Sequence, residues 1–157
     1  MLINLQNYLT IQNVYLWLNL GVMPMWLGII FFPRSKIVKI FITSVFMPIV
    51  FSITYAYIAY TFIIQSGNIS EISNFYFDIE NLYSLFANET FLLVFWIHFV
   101  SLNLFLGSWT ASDSIKYNIS KIFTAVCLIL IYFFGPIGLV IYWFVRIFYS
   151  KKLNLYD

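Results

Sequence analysis

Four long intervals of this chain carry no charged residue: 1–33, 40–70, 90–112 and 122–145. A helix needs ~20 mostly apolar residues to cross a bilayer, and each interval is long enough to supply one. The spacing predicts four transmembrane helices at about 12–32, 38–64, 90–109 and 119–148, with ends free by a few residues. The first is expected to stop at Phe32-Pro33-Arg34, because proline pushes the preceding residue out of the helical region. Composition narrows the alternatives. The chain is 62% hydrophobic and 9% charged, against about 25% charged for an ordinary soluble domain. In water such a fold would expose large apolar patches. The expected fold class is therefore all-α, a polytopic membrane protein forming a single integral membrane domain over 1–157, with no internal repeat.

The longest connection lies between the second and third helices. Within it Phe75, Ile79, Leu82, Tyr83 and Phe86 recur at helical spacing, with Asp78 and Glu80 off the stripe. This is a short amphipathic helix, about 72–87, expected to lie in the interface. Pro24, Pro48 and Pro136 fall inside expected helices, where neighbouring groups must satisfy the freed carbonyls.

Charge and residue counts exclude several chemistries. A net charge of +2 with no basic cluster gives no nucleic-acid footprint. One cysteine, Cys127, allows no disulfide within the chain, and one histidine, His98, allows no multi-histidine zinc or di-iron site. No metal and no cofactor is expected. The N-terminus lacks the basic region and cleavage site of a signal peptide. With four spans, Arg34, Lys36, Lys39, Lys116 and Lys121 share one side, against Arg146, Lys151 and Lys152 on the other. The positive-inside rule then makes the short loops cytoplasmic and both termini external.

The third interval is the richest in polar chemistry. Glu89 and Asp113 bound it, and Trp96, His98, Ser101, Asn103 and Trp109 lie within. Glu89, Trp96 and Asn103 are seven apart and share one helical face, while His98, Phe105 and Trp109 form an offset stripe. In the fourth interval Gly135, Gly138, Tyr142 and Arg146 follow steps of three, four and four. The glycines permit close approach of another helix, and Tyr142 and Arg146 project from that same side. His98 reads either as an imidazole satisfied by a neighbour or as a proton donor or acceptor at a substrate. Arg146, Glu89 and Asp113 read either as helix-end groups or as partners in that chemistry. The tryptophans fit interface anchoring as well as ligand stacking.

Three segments together resemble a known family: Met25-Trp26…Phe32-Pro33-Arg34, the run Trp96-x-His98…Asn103…Gly107-Ser-Trp109-x-x-x-Asp113, and Gly135-Pro136-x-Gly138…Tyr142…Arg146. They resemble the ABSCISIC ACID DEFICIENT four-like family, four-span membrane proteins that include plant neoxanthin synthase. The resemblance covers about 17–148. It departs from the family pattern at Asn103, where aspartate is usual, and at Ser108, where arginine is usual. Asparagine cannot act as a carboxylate base.

The resemblance implies cofactor-free isomerisation of a xanthophyll, opening an epoxide to an allenic alcohol. The groups available for acid and base work are His98, Glu89, Asp113 and Arg146. Trp96, Asn103, Trp109, Tyr142 and Trp26 would bind the substrate. The implied partner is a lipophilic carotenoid or isoprenoid in a bacterial inner membrane or a plastid membrane, surrounded by lipid and open to another membrane protein. Two other readings stay open: a non-catalytic carotenoid- or lipid-binding partner, and a small transporter subunit.

Overall fold

The structure, a computed structural model, describes residues 10–44, 46–66 and 76–151. Among them the chain is all-helical, with seven helices: α1 (Ile11–Phe31), α2 (Lys36–Phe41), α3 (Phe46–Ser66), α4 (Ile79–Phe86), α5 (Glu89–Lys116), α6 (Lys121–Phe134) and α7 (Pro136–Ser150). Two of them, α1 with 21 residues and α5 with 28, are long and apolar enough to cross a membrane. At 1.5 Å per residue they measure roughly 31 and 42 Å.

Two of the expected helices are divided. The stretch 38–64 becomes α2 and α3, because consecutive hydroxyls turn back on the chain between them. Thr43 Oγ1 donates to the Lys39 carbonyl at 3.0 Å, and the Ser44 hydroxyl donates to that of Ile40. The same Ser44 oxygen then accepts the Phe46 N–H at 3.2 Å, starting α3 afresh. Pro48 thus falls in the first turn of α3, where its missing N–H breaks no helical bond.

The stretch 119–148, expected as one span, is a helical hairpin. Gly135 sits at φ +49° and ψ −98°, a left-handed backbone favoured by glycine. It closes α6 by donating its N–H to the Ile131 carbonyl at 2.8 Å. The chain then doubles back. A Cβ on Gly138 would lie 2.3 Å from the Ile131 backbone nitrogen, so only a bare α-carbon lets α7 pass this close to α6. Farther along, Tyr142 of α7 is buried with Cys127 of α6 and Ile119 before it, an antiparallel arrangement. Each arm is short, with 14 and 15 residues.

The expected interfacial helix is present as α4, capped by Asp78, which accepts the Glu80 N–H at 3.0 Å. Its residues 72–75, including Phe75 of the expected stripe, lie outside the described residues. Asn88 starts α5 by accepting the N–H groups of Thr90 at 2.9 Å and Phe91 at 3.1 Å.

The helices group into two compact units, and α1, α3 and α5 contribute to both, α3 only by its first three residues to the second. One unit holds α1 to Gly21, α3 from Ile49, α4, and α5 to Val100. Aromatic rings bind it: Phe86 meets Phe91 and Phe95 with centroids 5.5 and 4.9 Å apart, and Phe62 meets Phe91 at 5.6 Å. In α4, Ile79 and Tyr83 point outward, and among the described residues of the stripe Leu82 and Phe86 are the ones that pack. The second unit holds the rest of α1, α2, the remainder of α5, and the α6–α7 hairpin. There the Trp26 ring lies on Gly107, 2.6 Å from where a Cβ would stand, and meets Tyr132 edge-on at 5.3 Å. Ser108 Oγ donates to the Ile42 carbonyl at 3.1 Å, tying α2 to α5.

Candidate functional site

In the second unit the face of α5 turned inward carries Asn103, Gly107, Thr110 and Asp113, spaced four, three and three, all buried. The inward face of α7 carries Gly138, Tyr142 and Arg146, also buried. Where these faces meet, Asp113 Oδ2 accepts two hydrogen bonds: from the Tyr142 hydroxyl at 2.7 Å and from Arg146 Nε at 2.8 Å. A second guanidinium nitrogen of Arg146 donates to the Tyr117 hydroxyl at 3.2 Å, and the guanidinium stands 4.8 Å from the Tyr117 ring centroid. Trp109 closes one side, edge-on to Tyr142 at 5.8 Å.

Burial sets the character of this cluster. Arg146 is 0% exposed and Asp113 8%. A charge so placed is tolerated because it is neutralised and hydrogen-bonded within the same few ångströms. The sequence reading brought Asp113, Trp109, Tyr142 and Arg146 into consideration, and the structure joins all four. It missed Tyr117. The available signal was its position four residues after Asp113, on the same helical face.

A second buried polar layer lies nearer the hairpin tip. Asn103 Oδ1 rests against Gly135, 2.7 Å from the site of an added Cβ. Its amide nitrogen and, two turns along α5 toward Asp113, the hydroxyl of Thr110 are buried without a hydrogen-bond partner among the described residues. Trp26, expected as a substrate-binding residue, packs here against Gly107 and Tyr132.

The remaining expected residues belong to the first unit. Glu89 and Trp96 line one open cleft of about 610 Å³, together with Ile11, Gln12, Tyr15, Leu92 and Leu93. Trp96 is fixed there: its Nε1 donates to Asn19 Oδ1 at 3.3 Å, and its ring stands 5.6 Å from Tyr15 and 5.5 Å from Phe99. The lining is mostly apolar, with Gln12 and Glu89 its most polar residues, and its size falls within the ~300–1,000 Å³ usual for small-ligand sites. Sequence reasoning missed Gln12, Tyr15 and Asn19, which carry no motif.

His98 takes a different position. It is exposed on α5, on an outward stripe with Phe95, and its ring lies 5.7 Å from that of Tyr55. It is not enclosed among other polar side chains. Among the described residues no group of three or more His, Cys, Asp or Glu side chains converges as a metal site would require.

No curated protein and no solved structure matches the chain. A family model does, that of the ABA DEFICIENT 4-like proteins, over residues 13–142. That span takes in Trp26, the α5 face from Trp96 to Asp113 and the hairpin to Tyr142, and the chain belongs to the ABA DEFICIENT 4-like family.

Proposed function

We propose that this chain is an integral membrane protein that binds the end group of a carotenoid or xanthophyll in the α1–α5 cleft and isomerises it without a redox step. Family membership implies a role related to abscisic acid and neoxanthin biosynthesis. The observation that carries the reading is the pairing of Glu89 with Trp96 and Tyr15 in one apolar cleft. Aromatic walls suit a ring with a polyene tail, and a carboxylate at an open mouth suits an oxygenated end. In the membrane α3 joins α1 and α5 as a span, since its 21 residues carry no charge.

Opening a 5,6-epoxide to an allenic alcohol is a balanced isomerisation. The C7–H bond breaks, its electron pair becomes the new C6–C7 double bond, the C6–O bond opens, and the oxygen left on C5 takes a proton. On this reading Glu89 accepts the C7 proton and the Gln12 amide donates a hydrogen bond to the oxygen, both residues lining the cleft. His98, exposed beside Tyr55, does not line this cleft and has no part in the step. Asp113, Tyr142 and Arg146 satisfy one another and hold the hairpin to α5, so their part is positioning.

A second reading, carotenoid binding without catalysis, is favoured by that mutual neutralisation and by Asn103 standing in place of a carboxylate. Expression in a carotenoid-producing bacterial host separates the two. The enzyme reading expects a new pigment on chromatography that Glu89→Gln abolishes while carotenoid still co-purifies. Unchanged pigments with co-purifying carotenoid favour the binding reading. Neither new nor co-purifying pigment overturns both.

A further inference from the structure

The α6–α7 hairpin has an unequal distribution of charge. No charged residue falls between Lys121 and Arg146, and the tip presents Phe133, Phe134 and Ile137 outward. The open end gathers Lys116 at the close of α5, Lys121 at the start of α6 and Lys151 at the cap of α7, all exposed. These ends are held together from within, since Arg146, one turn before the α7 cap, hydrogen-bonds to Asp113 and Tyr117. An arm of 14 or 15 residues reaches roughly 21–22 Å, short of the ~30 Å hydrocarbon layer.

We infer that the hairpin enters and leaves the bilayer at one face, and that Lys116, Lys121 and Lys151 hold anionic phospholipid headgroups there. A single span over 119–148 would carry the C-terminus across. A re-entrant hairpin returns it to the side it left, and the sorting of charge along the helices agrees. With α1, α3 and α5 as spans, Arg34, Lys36, Lys39, Lys116, Lys121 and Lys151 fall on one side. Asp78, Glu80 and Glu89 fall on the other, with no basic residue among the described ones. The positive-inside rule makes the lysine side cytoplasmic, and the leaflet there is the anionic one. Non-helical backbone at membrane depth is tolerated where it is buried in protein, and Gly135 is buried against Asn103.

This inference rests on the membrane part of the proposed function and is independent of the pigment. Phe77→Cys and Lys151→Cys, each with Cys127→Ala, are exposed to a membrane-impermeant maleimide in intact bacterial cells. Labelling of Phe77→Cys but of Lys151→Cys only after permeabilisation is expected. Labelling of both variants in intact cells, or of both only after permeabilisation, puts the two positions on one side and overturns the re-entrant hairpin. Loss of the chain from carbonate-washed membranes overturns the membrane reading itself. For the lipid, the purified chain is reconstituted in phosphatidylcholine with and without phosphatidylglycerol, and bound phosphatidylglycerol is counted by native mass spectrometry. Each lysine near an anionic surface is worth about fivefold in affinity, so Lys116→Gln/Lys121→Gln/Lys151→Gln should weaken retention by roughly a hundredfold. Equal retention by the triple variant, or none by the parent chain, overturns the headgroup assignment.

Discussion

Removing the Asp113 carboxylate should cost more than removing the whole ion pair. In Asp113→Ala the Arg146 guanidinium, 0% exposed in the parent, loses the carboxylate at 2.8 Å, while the Tyr142 hydroxyl loses its acceptor at 2.7 Å. Breaking one side of a buried pair costs about 3–5 kcal/mol. For a chain of this length each kcal/mol moves the midpoint by roughly 2–4 °C, so a fall of ~6–20 °C is expected. Tyr142→Phe removes one neutral donor to a charged acceptor and leaves the pair intact, at about 1.5–3 kcal/mol. In Asp113→Leu/Arg146→Met both charges go, and similar volume returns. That double variant removes both charges but still leaves the Tyr142 hydroxyl without its acceptor, so it should fall only about 1–3 kcal/mol below the parent. The assay is thermal unfolding in one detergent, followed by tryptophan fluorescence, since Trp109 packs on Tyr142. A double variant as damaged as Asp113→Ala would refute the argument. So would an Asp113→Ala shift under about 2 °C.

Three further outcomes follow from the geometry. Gly138→Ala should lower the unfolding midpoint sharply, because its Cβ would meet backbone at 2.3 Å, whereas Gly21→Ala, with nothing within 4 Å, should be neutral or stabilising. Gly107→Ala, measured the same way, should displace the buried Trp26 ring from Tyr132 and red-shift its fluorescence; an unchanged spectrum would count against the packing. Trp96→Phe keeps an aromatic wall in the cleft but loses the bond to Asn19, so it should cost ~0.5–1.5 kcal/mol and weaken carotenoid retention less than Trp96→Ala.

Much of the architecture could be read from the chain because charge-free length is a coarse, robust signal. The positions of α1 and α5 came from it directly, and that of the amphipathic α4 from the helical spacing of its apolar stripe. The breaks did not. A hydrophobic interval looks the same whether it runs straight or folds back, and the fold-back rests on two glycines, Gly135 for its backbone angle and Gly138 for its bare α-carbon. Gly135 and Gly138 announced a close helix approach, and the approach is real, but the partner is the first half of the same interval. Likewise Thr43 and Ser44 are compatible with a helix, and their hydroxyls end one here by bonding backward. For the site, the spacing of Gly138, Tyr142 and Arg146 put both polar side chains on one face. What no spacing shows is where such a face finds its complement across intervening chain. That is why Asp113 was legible as a candidate without its role, and why His98, inside an apolar run, could be expected indoors and yet face out.

The one-residue turn at Gly135 has a mechanical consequence. With a single linker residue between two regular helices there is no slack, so neither arm can slide along the other without unwinding. A shift of one residue, 1.5 Å along the axis, would also turn Tyr142 and Arg146 by 100° away from Asp113. The hairpin therefore has one register and behaves as a rigid wedge, moving as a whole or not at all.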